Sequence, residues 1–467
     1  MLRGAGALLF FVLAWLGVGA AASSLDAAND AWQRGDYVTA LNSYIQLLNG
    51  PGGDSFTERI AETTGELFRT VELTPDGRRG RFSPDGRYIA YETGLETSRR
   101  TQIITNDDRH ALVADLAGVS ATFTRDGSKV AYLRISDTED IRKASDAIAS
   151  ATLADRRRTA KVQVLTWLIA RDSVIVTRDL ASGHEIELPT PVMLKTALTY
   201  AGDDRTLFFL GTREGNDTRT DIYSISETAD GPTLAVDAGG LKASPLVDRG
   251  GAALVYVIPA QSPFRRPVLE DDDETPSPRP APVPTPPAAP RATRAPSTFA
   301  IVDLRSKRVS VVSGTAPTMS ADGRTLAYVA RDGSEYSLMV GPTTGMQVPI
   351  KRTTLRIDAP ALSADGGRVA WQMMPRDDWE IFVADVGGSA LTRERRVTRE
   401  IQHDVLPRFI DGTHLVAMIG EPRHRRAYLY EVAMNDADTA ETTPPRTRLF
   451  HNNTVRTISP EYEWAHS

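Results

Sequence analysis

The chain contains no cysteine. Disulfide staples, thiol catalysis and thiolate metal sites are thereby excluded, as is a lipid-attachment cysteine behind a leader. The histidines, at 110, 184, 403, 414, 424, 451 and 466, form no His-Glu-x-x-His and no close pair with metal-ligand spacing. There is no Gly-x-Ser-x-Gly elbow to carry a hydrolase nucleophile, no Walker loop and no Gly-x-Gly-x-x-Gly behind a strand. An excess of positive charge is also missing. With 54 Lys and Arg against 60 Asp and Glu the formal charge is -6, which disfavours nucleic acid and speaks for ordinary solubility. Catalytic, cofactor-binding and metal-binding residues are accordingly assigned to none, and no cofactor is expected.

Long hydrophobic runs are scarce as well. The longest, from Leu8 to Leu16, follows Met1-Leu2-Arg3 and precedes Ala20-Ala21-Ala22, and it falls short of the roughly 20 residues that a membrane span needs. These are the three zones of a secretory signal peptide over residues 1–22, with cleavage near Ala22. The expectation is a periplasmic or secreted protein with no span after cleavage; a retained anchor is the alternative. A chain of this size buries enough apolar surface without disulfides, so their absence does not oppose export.

What the sequence has in abundance is one phrase. Phe82-Ser83-Pro84-Asp85-Gly86 runs into Tyr88-Ile89-Ala90-Tyr91, and the pattern returns at Phe123 to Tyr132, Met319 to Tyr328 and Leu362 to Trp371. Worn copies lie at Tyr200 to Phe209, at Leu246 to Tyr256 with Arg249 in the place of the aspartate, and at Phe409 to Met418. In the four full copies a hydrophobic residue ends a strand and Asp-Gly turns the chain, because aspartate accepts a backbone N–H and glycine takes positive φ without strain; Asp203-Asp204 replaces Asp-Gly in the first worn copy. The apolar run behind the turn suits a strand buried on both faces. The two flanking strands are expected to be a central pair, followed by two weaker strands such as Ser173 to Thr177 and Glu185 to Leu188. Four antiparallel strands per repeat make a propeller blade.

The turn positions 85, 126, 203, 249, 322, 365 and 411 are separated by 41, 77, 46, 73, 43 and 46 residues. Four steps match the span of about 40 to 50 residues expected of a blade; the two long ones are single blades carrying insertions. In one, residues 135–171 place Ile141, Ala144, Ile148, Ala151 and Leu153 near helical spacing beside the basic cluster Asp155 to Arg158. In the other, residues 263–297 hold the acidic run Glu270 to Glu274 and then a proline-rich stretch that blocks helix and central strand alike, a disordered loop. The fold class is therefore mainly β: a seven-bladed propeller of four-stranded antiparallel blades over residues 71–467, preceded by a short helical hairpin at 23–70.

Within that hairpin, Gly35, Tyr37, Ala40 and Tyr44 resemble the turn and second helix of a tetratricopeptide repeat, with Pro51 where such a unit stops. A lone helical pair cannot bury its apolar face unaided. It is read either as a cap on the propeller or as a partner-binding groove. The Ser-x-Asp-Gly-x-x-(Ile/Leu/Val)-Ala-(Tyr/Trp) pattern in turn resembles the TolB-type, WD-like propeller repeat of exported bacterial proteins. True TolB proteins carry an α/β domain ahead of the propeller, where this chain has the helical piece.

The resemblance implies an exported, non-catalytic, monomeric protein-binding scaffold in the bacterial cell envelope, with other envelope or periplasmic proteins as partners. The alternative is the substrate-gating propeller of a larger exported peptidase or other hydrolase whose catalytic domain lies beyond this chain. Remaining features read as structure: His403-Asp404, the clusters Arg393 to Arg396 and Arg423 to Arg426 as solvated loops between strands, and Thr457 to Trp464 as a degenerate repeat. That last segment either closes the ring beside the first blade or begins another repeat.

Overall fold

The computed structural model describes residues 24–64, 77–94, 98–107, 109–151, 158–213, 218–248, 250–264, 298–375, 378–398, 403–420, 425–431 and 446–451. The leader, Leu153, Asp155, Arg156, Arg157, Arg249, the run 265–297, Arg423, His424 and the segment 457–464 lie outside them.

The described strands form seven sheets of four, each a simple antiparallel meander of consecutive strands. Blade 1 runs from β1 (Arg78–Phe82) through β2 (Tyr88–Thr93) and β3 (Arg100–Thr105) to β4 (Leu112–Leu116). Blade 2 extends from β5 (Gly118–Phe123) to β8 (Glu185–Glu187), blade 3 from β9 (Leu194–Tyr200) to β12 (Thr233–Val236), and blade 4 from β13 (Ala243–Val247) to β16 (Arg308–Ser313). Blade 5 spans β17 (Thr315–Met319) to β20 (Val348–Thr353), blade 6 β21 (Arg356–Leu362) to β24 (Ala390–Arg396), and blade 7 β25 (His403–Phe409) to β28 (Arg446–His451). This is a seven-bladed β-propeller. First strands of neighbouring blades adjoin, as β5 does β9, β17 does β21 and β21 does β25. They therefore stand innermost around an axial channel, and the fourth strands form the rim.

That placement corrects one expectation. The strands flanking each Asp-Gly turn are not a central pair: the strand before the turn is the inner edge of its sheet, and only the strand behind it is central. The central strand has the unbroken apolar run because both its faces are covered by neighbouring blades. On β2, Ile89 and Tyr91 pack with Val405, Ile410 and Val416 of blade 7, whereas Ala90 packs with Ala121, Phe123 and Tyr132 of blade 2. The central strand of blade 6 repeats the arrangement. Trp371 joins a cluster with Ala327 and Leu338 of blade 5, and Ala370 joins Leu415 of blade 7. An aromatic residue on the central strand of the next blade shares the alanine's cluster in two places, Tyr132 with Ala90 and Trp371 with Ala327. The contact of blade 1 with blade 7 closes the ring by side-chain packing, and blade 1 draws all four of its strands from residues 78–116.

The long steps belong to single blades. In blade 2, helices α4 (Glu139–Ala149) and α5 (Arg158–Asp172) stand between β6 (Lys129–Arg134) and β7 (Val174–Asp179). Thr138 caps α4, accepting the Ile141 N–H at 3.3 Å. Ile141, Ile148, Leu165 and Leu168 are buried in the core that blades 2 and 3 share, and the Trp167 indole donates to the Phe264 carbonyl of blade 4 at 3.1 Å. In blade 4, residues 265–297 fall between β14 (Ala253–Ile258) and β15 (Thr298–Asp303).

Ahead of the blades, residues 24–33 form one helix, here α1, followed by α2 (Tyr37–Leu48), a 3-10 turn (Gly53–Phe56) and α3 (Thr57–Thr63). Gly35 turns the chain at φ 75°, and Asp36 caps α2. Ala40 and Tyr44 are buried against Ala28, Ala31 and Trp32, and the Tyr44 hydroxyl donates to Asn29 at 2.8 Å.

Candidate functional site

Seven turns between first and second strands gather on one face of the disc, around the mouth of the channel. Their geometry explains the repeated phrase. Ser83 Oγ donates to Asp85 Oδ1 at 2.5 Å and accepts the Tyr88 N–H at 2.9 Å, while Asp85 accepts the Arg87 N–H at 3.1 Å. Thr124 with Asp126, Ser320 with Asp322 and Ser363 with Asp365 build the same network. The four hydroxyl-bearing residues are buried, so the hydroxyl serves as a relay between the turn carboxylate and the first amide of the central strand. The Ser128 N–H, with the hydroxyls of Ser128 and Thr124, holds the Asp126 carboxyl below the usual carboxylate range; the Ser363 hydroxyl and Gly367 N–H do so for Asp365.

The worn copies keep the function with different residues. Where Ala201 replaces the serine, Asp203 accepts from the Arg205 and Thr206 N–H groups directly, at 3.0 and 2.9 Å, and Asp204 takes the positive φ usually left to glycine. In blade 4 the turn aspartate is not replaced by Arg249. It is Asp248, at the serine position, and it accepts from Ala252 and Ala253 at 2.6 and 2.8 Å. The turn of blade 7 is one residue shorter, so that Arg408 pairs with Val416, as Arg81 does with Ala90. Val416, not Ala417, holds the alanine place.

Every first strand carries a β-bulge that sequence reasoning missed. Ser120, Ala197, Ser244, Ala316, Ala359 and Leu406 take φ between 45° and 59°, each four residues before the start of its turn, and the pairing register shifts at each. Blade 1 has its shift between Arg78 and Arg81. Such bulges twist and bend an edge strand, here the one that walls the channel. Three of the freed amides have side-chain acceptors. Ser120 donates to Glu92 of blade 1 at 2.9 Å, Leu406 to Gln372 of blade 6 at 2.9 Å, and Ala359 to its neighbour Asp358 at 2.8 Å. A signal was present: Pro245, Pro317, Pro360 and Pro407 follow the bulge residue in blades 4 to 7, and proline in a strand marks an edge or a bulge.

Four pairs of adjoining turns are linked among the described residues. Arg87 Nη2 donates to the Asp126 carbonyl at 2.6 Å, Arg125 N–H to Asp204 Oδ1 at 2.5 Å, and Asp322 N–H to the Ala364 carbonyl at 3.1 Å; Arg368 reaches the Gly412 carbonyl. One contact crosses the ring instead of following it. Arg125 of blade 2 extends its guanidinium to the carbonyl of Ala321 in blade 5, at 3.0 Å and 196 residues away along the chain. Most turn carboxylates bond backbone N–H groups of their own turn, Asp204 accepts from the neighbouring blade and Asp85 pairs with Arg87. Two further arginines on this face have no close carboxylate bond among the described residues. Arg125 has only a neutral carbonyl acceptor among the described residues, and Arg324 is exposed, 3.9 Å from Asp322.

No family model matches the chain, and no curated protein does. Solved structures similar to it include the β-propeller domain of the Trilobed protease from Pyrococcus furiosus, 10% identical over 78% of this chain and 99% of that one, with a TM-score of 0.47. They also include the putative TolB from Agrobacterium tumefaciens, 16% identical over 56% of this chain and 82% of that one, TM-score 0.35. TolB from Acinetobacter baumannii is 10% identical over 77% and 82%, TM-score 0.36. The propeller assignment for this chain rests on its own seven sheets.

Other candidates resolve into structure. His403 Nδ1 accepts the Trp379 N–H at 3.1 Å, and the buried Asp404 donates its own N–H to the Trp379 carbonyl at 2.7 Å. Among the described residues no three His, Asp or Glu side chains gather where a metal could bind, and no helix is long and apolar enough to cross a membrane. Two lysines that the sequence did not mark are fully buried. Lys195 donates to the carbonyls of Met193 and Arg171 at 2.8 and 3.0 Å, and burial brings its pKa down to about 8. Lys242 donates to the Thr220 carbonyl at 2.7 Å, its pKa likewise lowered by burial.

The basic cluster Arg393 to Arg396 is not a solvated loop but part of β24. Glu394 pairs with Lys351 at 2.8 Å, and Arg396 with the buried Glu380. Arg396 also donates to the Tyr37 hydroxyl at 3.3 Å, which fixes the helical piece to blade 6. Burial, and then Glu380, pushes the Tyr37 pKa up to about 12. Arg425 and Arg426 likewise lie in a strand, Arg425–Glu431, the third of blade 7.

Proposed function

We propose that the chain is an exported, non-catalytic propeller that holds a segment of a partner protein across the turn-face mouth of its channel. The observation that carries this reading is Arg125, whose guanidinium spans the mouth and rests on a neutral carbonyl. A charge-assisted bond to carboxylate is about twice as strong as one to a neutral acceptor. An acidic side chain or a chain-terminal carboxylate therefore displaces Ala321 and gains Arg324 as a second donor. Export is supported by the leader-like first 22 residues, and placement in the bacterial envelope by the likeness of the repeat to that of TolB.

The test is crosslinking capture from an envelope fraction with the wild-type protein and with Arg125→Ala. The expected result is a partner held by the wild type and lost with the variant, at unchanged thermal stability. Equal capture by both proteins overturns the mouth as the site. Peptide hydrolysis by the purified protein overturns the non-catalytic reading.

A further inference from the structure

Seven sheets in a ring leave seven outer edges, and an unpaired strand edge invites another chain unless something blunts it. Most of the rim is blunted. Strand β8 has three residues, two of them glutamates, and β12 has four. Strand β20 contains Pro349 with Lys351 and Arg352, and β24 carries four charges in a row. Strand β4 contains Asp115, paired with Arg100 at 2.7 Å.

Strand β16 is different. Its sequence is Arg-Val-Ser-Val-Val-Ser, without proline or internal charge, and among the described residues it pairs along its whole length with β15 alone. Val312 turns inward to the core between blades 4 and 5. Val309 and Val311, two residues apart and so on the opposite face, are 39% and 64% exposed. At the start of the strand Lys307 and Arg308 are exposed; the Lys307 ammonium donates to the neutral Ala235 carbonyl at 3.5 Å, and neither side chain is ion-paired among the described residues.

We propose that β16 is a strand-addition site for an extended peptide of a partner protein with apolar side chains at alternate positions and carboxylates toward its C-terminal end. Backbone bonds to the free edge supply affinity, and the alternating side chains and end charges supply selectivity. An antiparallel peptide places its C-terminal end beside Lys307 and Arg308, where its carboxylates are complementary. Pairing of β16 with a second copy of itself does not do this, because it sets the cationic end of each strand against Ser313 of the other. The site stands on the rim, apart from the mouth at Arg125.

The test uses the full chain and a fluorescent eight-residue peptide of alternating valine and threonine that ends in two glutamates, read by anisotropy. Controls are the same peptide ending in two lysines and one with N-methyl groups at alternate positions. The expected result is binding of the acidic peptide, lost by tenfold or more with N-methylation, with Val311→Lys and with Lys307→Glu/Arg308→Glu. The double variant should instead prefer the lysine-ended peptide, and Arg125→Ala should bind as the wild type does. Absent binding, or equal binding of all three peptides, overturns the proposal. So does a dimer in sedimentation that Val311→Lys dissolves, which assigns the edge to a second copy.

Discussion

A single hydroxyl shows why the repeat is spelled as it is. Ser363 is buried, donates to Asp365 and accepts the Arg368 N–H. Ser363→Ala leaves that amide without its acceptor, and a buried unsatisfied donor costs about 1–3 kcal/mol. The expected loss is about 1–2 kcal/mol, measured by denaturant unfolding. The turn carboxylates set the acid limit. Asp126 and Asp365 have folded pKa values below the ordinary range. Their contribution is therefore complete above about pH 4, the unfolded value, and is lost as pH falls through the lower folded one. Unfolding free energy should stay level from neutrality to about pH 5 and decline below about pH 4, with a shallower decline in Asp365→Asn. The Asp-Gly corners were legible in sequence because only a few residue types make them. Substitute solutions were not: Asp248, at the serine position, and Asp204, at positive φ, meet the same backbone need from other places in the phrase.

The innermost strand is the element that sequence described least well. Its bulge residue is Ser, Ala or Leu, none of which signals a left-handed conformation, and its fixed place four residues before the turn emerges only once pairing registers are known. Proline behind the bulge was the readable mark, since an inner edge strand does not miss the donor. A sign test follows. Replacing alanine by glycine in an ordinary strand destabilises it, but Ala359 sits at φ 45°, where a side chain costs roughly 1–2 kcal/mol. Ala359→Gly should leave stability unchanged or raise it by up to about 1 kcal/mol, because the extra entropy of glycine offsets part of the relief. A loss of more than that amount in denaturant unfolding means the bulge is not as described. The central strands were legible for the opposite reason: burial on both faces demands an unbroken apolar run, and a run is visible without a structure.

At the scale of the molecule, blade number and order followed from spacing, because every blade repeats a turn at the same point. Lateral attachments did not. The link from Tyr37 to Arg396 joins residues 359 apart, and a row of arginines carries no mark of whether it meets water or a buried Glu380. The same holds for Arg125, which looks like any turn residue until the ring brings blade 5 opposite blade 2. That crossing also offers the most direct measurement of the circular arrangement. The chain has no native cysteine, so Arg125→Cys with Ala321→Cys introduces one unique thiol pair for spin labels and a dipolar distance measurement. A closed seven-bladed ring gives one narrow, short distance across the channel mouth, lost in denaturant. A broad distribution, or a separation near the full diameter of the protein, contradicts the ring.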